Sequence, residues 1–176
     1  LAGDGNGKPI GLNRQVQAGV AISGGVYPEK TSIGDLTFAD SATTVKELTN
    51  VYKHHSTDEK GRAVAVDGKV VMVVNPADAW DVKRQYTSLN AQGVYVTALP
   101  YNLKIVESLA QVSKKVVTFV NGRYDAYIGG GITLRKYDQT LAIEDMDLYT
   151  AKQFAYGKAK DNKAAAVWGL KVSEGK

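Results

Sequence analysis

Cysteine is absent from the 176 residues. No disulfide framework and no thiolate metal site can form, so packing and hydrogen bonds alone must hold the fold. Histidine occurs twice, as the adjacent pair His54 and His55. A Ser-His-Asp site would have to run through one of them, and no strand-turn-helix elbow near by in the sequence presents a nucleophile. Neighbours on a helix point about 100° apart, so the pair cannot grip one metal as histidines four apart can. A solvated helix end is the expectation for both. No run approaches the roughly 18 uninterrupted apolar residues of a membrane span, and the longest β-rich run, 70–74, has the length of a core strand.

What is present fits a folded domain. Hydrophobic residues make up 44% and charged residues 23%, close to the globular average, and the length suits one domain or one domain with an extension. Formal net charge is +4. Residues 1–103 carry ten charges of each sign, whereas 104–176 carry twelve basic and eight acidic ones. Such an excess is mild beside that of dedicated nucleic-acid binders and argues for solubility more than for a ligand. The chain opens at Leu1 without an initiator Met or a signal-peptide pattern, which points to a processed or excised piece of something longer.

Along the chain, four glycines and a proline in residues 1–12 predict an irregular or tightly turned segment, and 16–26 reads as loop with a short strand. From Ser41 to His55 the spacing of Val45, Leu48, Tyr52 and His55 predicts a helix, started by a Thr44–Glu47 capping box or by Asp40 or Ser41. Residues 62–66 and 69–74 predict a hairpin about Asp67-Gly68. The second of these runs is apolar on both faces and therefore a central strand. Asn75 caps and Pro76 opens a second helix running to about Leu89, with Ala79, Val82, Tyr86 and Leu89 on one face and Trp80 beside it. Strands are expected at 93–99, 103–106, 115–120, 123–128, 132–137, 148–159 and 164–172, with Asn121-Gly122 as the strongest hairpin signal. Strands in runs between two helices make the class α+β.

Several constellations imitate chemistry. Gly7-Lys8 falls short of a phosphate loop, since Ala2 stands where the first Gly is needed and Pro9 where Ser or Thr would bind magnesium. Asp4 and Asn6 imitate a calcium loop, but its sixth position is Pro9 and its twelfth Gln15. Glu144, Asp145 and Asp147 could serve acid-base chemistry, although such clusters in linkers are mostly solvated charge. Lys152, Lys158, Lys160 and Lys163 interleave with Phe154 and Tyr156 as on a single-strand-binding surface. In a strand, however, Lys152, Phe154, Tyr156 and Lys158 share one face, as a packed aromatic pair under lysine stems also would. No catalytic residue, metal ligand or cofactor is expected, and the chain is not expected to be an enzyme.

Several stretches, taken in order, resemble one family. AGDGNGKPIGL, with Gly3, Asp4, Gly5, Gly7, Pro9 and Gly11, resembles the Gly-Asp-Gly-x-Gly-x-Pro-x-Gly segment of tailed-bacteriophage major capsid proteins with the Hong Kong 97 phage fold. VVMVVNPADAW, with Asn75, Pro76 and Trp80, resembles that family's strand ending in Asn-Pro before a Trp-bearing helix. Residues 103–108, the Asn121-Gly122 turn with GRYDAYIGGGITL, and DMDLYTAKQFAYGKAKDNKAAAVWGL resemble its later strands. The resemblance implies a glycine-rich lead-in (1–32), an axial domain of mixed sheet with flanking helices (33–129), peripheral strands (130–163) and a final strand returning to the axial domain (164–172). The family's N-terminal arm, extended loop and spine helix would precede Leu1, so this piece should assemble much less well than its parent and could be monomeric.

By resemblance, then, the function is that of a structural head protein of a phage or prophage, self-assembling into hexamers and pentamers of an icosahedral shell around double-stranded DNA. Its partners would be further copies of itself, with DNA touched only non-specifically and no membrane. It would reside in the virion, and in the bacterial cytoplasm during assembly. An encapsulin-like compartment shell and a small non-catalytic surface-binding module are the alternatives, with an acid-base enzyme on Glu144, Asp145 or Asp147 as a third. Some family members cross-link through Lys, Asn and a carboxylate, but Asn121, Asn162 and Glu144 cannot be assigned those roles.

Overall fold

The computed structural model describes residues 1–137 and 148–172. It contains two helices and nine strands: β1 Ser32–Leu36, α1 Ser41–His55, β2 Val70–Val74, α2 Pro76–Tyr86, β3 Thr87–Leu89, β4 Tyr95–Thr97, β5 Lys104–Glu107, β6 Lys115–Val120, β7 Tyr124–Tyr137, β8 Leu148–Ala159 and β9 Ala165–Leu170. The class is mixed α+β. Five short strands form a sheet in the order β1-β9-β6-β2-β5, in which β2 runs parallel to β5 and antiparallel to β6, and β9 runs antiparallel to β6 and parallel to β1. β3 pairs with β4 and β7 with β8, as two separate ribbons.

Alternation along the strands sorts the core into two faces. Val70, Met72 and Val74 of β2, Val116 and Val120 of β6, and Ala166, Trp168 and Leu170 of β9 pack with Leu48 and Val51 of α1 and Ala79 and Val82 of α2. On the opposite face Val73, Val117, Ala165 and Val167 are covered by Leu1 and Leu12 of the N-terminal segment. The sheet is therefore the middle of three layers. β2 is paired on both edges, as its apolar run requires.

Local chemistry explains both helix starts. Asp40 caps α1 by accepting from Thr43 N, and Asn75 caps α2 by accepting from Ala77 N, with Pro76 at the first helical position. The Thr44–Glu47 box does not form. Glu47 instead reaches back to accept from Thr37 N and Phe38 N, fixing the β1–α1 link, where the fully buried Phe38 has φ +50°. The buried face of α1 is Thr44, Leu48, Val51 and His55, so Val45, predicted on the stripe, lies outside the buried face and Tyr52 at its edge.

Four other expectations change. Residues 62–66 form no strand: Asp67-Gly68 makes a turn, but β2 pairs with β5 and β6 instead. Asn121-Gly122 also makes a turn without a hairpin, because β6 stays in the sheet while β7 leaves it for β8. The strands expected at 123–128 and 132–137 are one strand, β7, with a register shift between Gly129 and Thr133. Finally α2 stops at Tyr86, since Thr87–Leu89 pairs with β4 and Thr87 hydrogen-bonds Thr97 across that ribbon. Leu89 is exposed rather than packed.

Candidate functional site

The glycine-rich opening is a closed loop. Asp4 bridges Ile10, and Gly11 N donates to Gly3 O. A Cβ on Gly3 would lie 1.9 Å from Pro9 O and one on Gly11 1.9 Å from Leu1 O, so both glycines are demanded by backbone passing close to backbone. Asp4 Oδ1 accepts from Asn6 N, and Lys8 lies 3.9 Å from its carboxylate, so the acid closes a turn. Buried Ile10 ties the loop to the β7–β8 ribbon: its N donates to Gly157 O at 2.7 Å, and its carbonyl accepts from the Tyr124 hydroxyl at 2.9 Å. Gly5, Gly7 and Pro9 lie between these anchors.

The remaining motif residues occupy two other corners. Asn75 accepts from Ala77 N at the start of α2 while its Nδ2 donates to Gln111 O, and buried Asp78 accepts from Lys114 N and Ser113 Oγ. Together they fasten the 108–114 loop to α2. Trp80 faces solvent, 68% exposed, under the Lys83 ammonium 4.5 Å above its ring, and Lys83 pairs with Glu107 at the end of β5. Leu109 and Val112 of the adjoining loop are exposed too. Asn121 N donates to Lys69 O, and Gly122 completes the turn that leads out of the sheet into β7.

The β7–β8 ribbon shows the largest departure from ordinary burial. Its ladder runs from Tyr124 opposite Ala159 to Tyr137 opposite Leu148, about 40 Å at the usual rise per residue. One face carries Tyr127, Phe154 and Tyr156 among Lys152, Lys158 and Arg135; the other carries Ile128, Leu134, Ala151 and Ala155. Phe154 is 76% exposed and Ile128 70%. Tyr127 and Tyr156 sit opposite each other with rings 6.4 Å apart at 29°. Lysine and aromatic side chains thus share one face of this strand as expected, and within the described residues that face is exposed. Lys160 pairs with Asp125, and Lys163 turns away to Thr57, so neither extends the stripe. Glu144, Asp145 and Asp147 lie outside the described residues. No sequence signal separated the aliphatic face from a core strand, because Ile128 and Leu134 alternate as core residues do.

At the root of the ribbon the structure overturns the expectation for histidine. His55 is fully buried. Its Nδ1 lies 2.8 Å from Lys163 O and its Nε2 2.8 Å from Thr118 Oγ1, which also accepts from Trp168 Nε1 at 2.8 Å. A carbonyl can only accept, so Nδ1 bears the proton, and Thr118 donates to Nε2. Burial pulls the imidazole down to about 4, with His54, Lys30 and Arg123 pushing the same way against the bond to Lys163 O. His54 is half-buried, its ring 6.2 Å from that of Trp168, and burial lowers its affinity for a proton also. The physical reason is the packing of the last turn of α1 onto β6 and β9.

A polar cleft of about 190 Å³ opens beside His54, lined by Gln15, Gln17, Lys30, Asn162 and Lys163. Lys30 is spent there on the carbonyls of Asn162 and Ala165, and burial pulls it down to about 8 against the opposing charges of Asp161 and Glu59. Among the described residues no three His, Asp or Glu side chains gather as metal ligands do, and no helix is long and apolar enough to cross a membrane.

No family model and no curated protein matches the chain. Solved structures do. A capsid of native GTA particle superposes at a TM-score of 0.59 with 14% identity, covering 98% of this chain and 59% of the other. A capsid of empty GTA particle gives 0.53 with 11% identity, covering 94% and 57%. A virus-like particle from Pyrococcus furiosus gives 0.50 with 16% identity, covering 79% and 56%. The chain therefore has the α+β fold found in phage-type capsid proteins, and it spans less than two thirds of the length of the chains it matches.

Proposed function

We propose that this chain is part of a major capsid protein of a tailed phage or prophage. Its work would be to associate with copies of itself into hexamers and pentamers of an icosahedral shell around double-stranded DNA. The observation that carries the reading is the conjunction of a capsid-type fold with a two-faced ribbon whose large apolar side chains have no cover within the described residues. Closed shells draw strength from many modest interfaces repeated by symmetry, and surface of this kind is what such interfaces bury. In the Hong Kong 97 arrangement the five-stranded sheet with its helices belongs to the axial domain (33–129 with 164–172) and the outer ribbon to the peripheral one (130–163). The chain works without a catalytic site, touches DNA only non-specifically, and resides in the virion after assembling in the host cytoplasm.

Likeness to the Pyrococcus furiosus virus-like particle supports a second reading, an encapsulin-like shell enclosing protein instead of DNA. Expression of the longest reading frame containing this sequence, followed by negative-stain electron microscopy and nuclease treatment, tests both. Uniform hollow or filled shells are expected. Nuclease-protected DNA within them favours the phage, and co-purifying protein cargo the compartment. Dispersed monomers at high concentration would sink both readings and leave a small surface-binding module.

A further inference from the structure

His55 sits at the joint between the sheet and the β7–β8 ribbon. β6 and β9 are neighbours in the sheet, and the chain runs out from β6 through Arg123 into β7 and back from β8 through the 160–164 turn into β9. The ribbon is thus the β6–β9 pair continued past two turns. The joint is pinned by Lys160 N to Arg123 O and by a largely sheltered Arg123–Asp161 ion pair. Into it projects one imidazole that bonds both sides at once, Thr118 in β6 and Lys163 O in the returning turn.

We propose that His55 is an acid-released latch: protonating it frees the 160–164 turn, and with it the root of the ribbon, while the five-stranded sheet stays folded. The hydrogen bonds permit one neutral tautomer. A second proton on Nε2 would meet the Thr118 oxygen, forcing that hydroxyl to surrender its donor role while still accepting from Trp168 Nε1. The new charge would also face, from the packed elements, the His54 imidazole on α1 and the cations Lys30 from the segment before β1, Arg123 after β6 and Lys163 in the turn. The nearby acids are already engaged, Asp161 by Arg123 and Glu59 by Asn162 N. What else holds the turn is polar: Lys30 on two carbonyls, Lys163 on Thr57, Glu59 on one amide, Asn162 with Val16 N and Gln17, and the Arg123–Asp161 pair. The sheet, by contrast, is clasped by apolar side chains on both faces. The latch does not depend on whether the chain builds shells.

Hydrogen exchange of the intact chain, resolved by amide and corrected for intrinsic rates, tests it. The root amides of Lys160 and Ala164 should open about thirtyfold more at pH 5 than at pH 7.5. That factor follows from an imidazole near 4 when latched and at the ordinary 6.5 when released. They should also exchange faster than Met72 and Val73 of β2 at both values. His55→Gln, which cannot titrate, should flatten the response, and His54→Gln should keep it. Should His55→Gln not fold, the wild-type comparison decides alone. Root amides that exchange no faster than those of β2, or that ignore pH, overturn the latch, as does a response that survives in folded His55→Gln.

Discussion

The five-stranded sheet and the β7–β8 ribbon invert the usual relation between strand length and burial. The sheet's strands are four to six residues long, yet β2 hides four of its five. The ribbon's strands have 14 and 12 residues and bury almost nothing beyond the root. A two-stranded ribbon alone is marginal in water, and what makes strands stable is a covered face. Backbone pairing therefore does not distinguish the two regions; what lies on them does. The sheet's apolar residues are covered on both sides by its own chain. The ribbon's large apolar residues are covered on neither side within the described residues, so what fixes its place on the sheet is the joint at its root.

The sharpest break of this comparison is a truncation in the sheet's cover. Leu48 of α1 is fully buried against the helix-side cluster, and Leu48→Ala removes its transfer free energy and leaves a cavity. A loss of about 3 kcal/mol is expected in urea unfolding, with an unchanged m-value. A loss below about 1 kcal/mol would mean the layer can collapse and is less well packed than its burial says.

A smaller effect is expected at the entrance to the same helix. Asp40 accepts from both Thr43 N and Thr43 Oγ1, which holds its carboxyl below the usual carboxylate range. Asp40→Ala should destabilise the chain at neutral pH, by less than Leu48→Ala does. Because the folded carboxyl is the more acidic, the cap's contribution is present above about pH 4 and fades as the pH falls below it. The difference between wild type and Asp40→Ala should accordingly shrink in acid, which paired unfolding curves at pH 7 and pH 3 would measure.

How far the sequence disclosed all this depends on whether a signal is local. Asp40 and Asn75-Pro76 announce helix starts because a cap needs only its own next residues. The run at 70–74 announces an internal strand because both faces are apolar. Asp67-Gly68 and Asn121-Gly122 announce turns and deliver them, but neither names the strands that pair. Pairing is settled by which faces the core buries, and β6 gains more by lying between β2 and β9 than by folding back on β7. The buried stripe of α1 keeps Leu48 and His55 but takes Thr44 and Val51 in place of Val45 and Tyr52, because the polar Thr44 gave no sign that it would be buried. The burial of His55 gave no local sign either, its partners Thr118 and Lys163 lying 63 and 108 residues away. The order of the glycine loop, the Asn-Pro strand and the final strand pointed to the capsid-type fold; the uncovered faces of the ribbon, alternating like core strands, gave no local sign.

The smallest expected effect on stability makes the finest test. Ile128 is 70% exposed and lies opposite Ala155 on the aliphatic face. Ile128→Thr keeps the β-branch and swaps apolar surface for a hydroxyl, so in the isolated chain the unfolding free energy should move by less than about 0.5 kcal/mol. If that face is covered when copies associate, the same substitution forfeits part of the roughly 1.5–3 kcal/mol that burying such a side chain contributes. The loss recurs at every copy of the contact around a closed shell. Shell yield, counted by electron microscopy of the full-length variant, should fall severalfold at unchanged monomer stability. A destabilisation of about 2 kcal/mol in the isolated chain would show instead that the ribbon is covered from within, and the contrast between the two regions would dissolve.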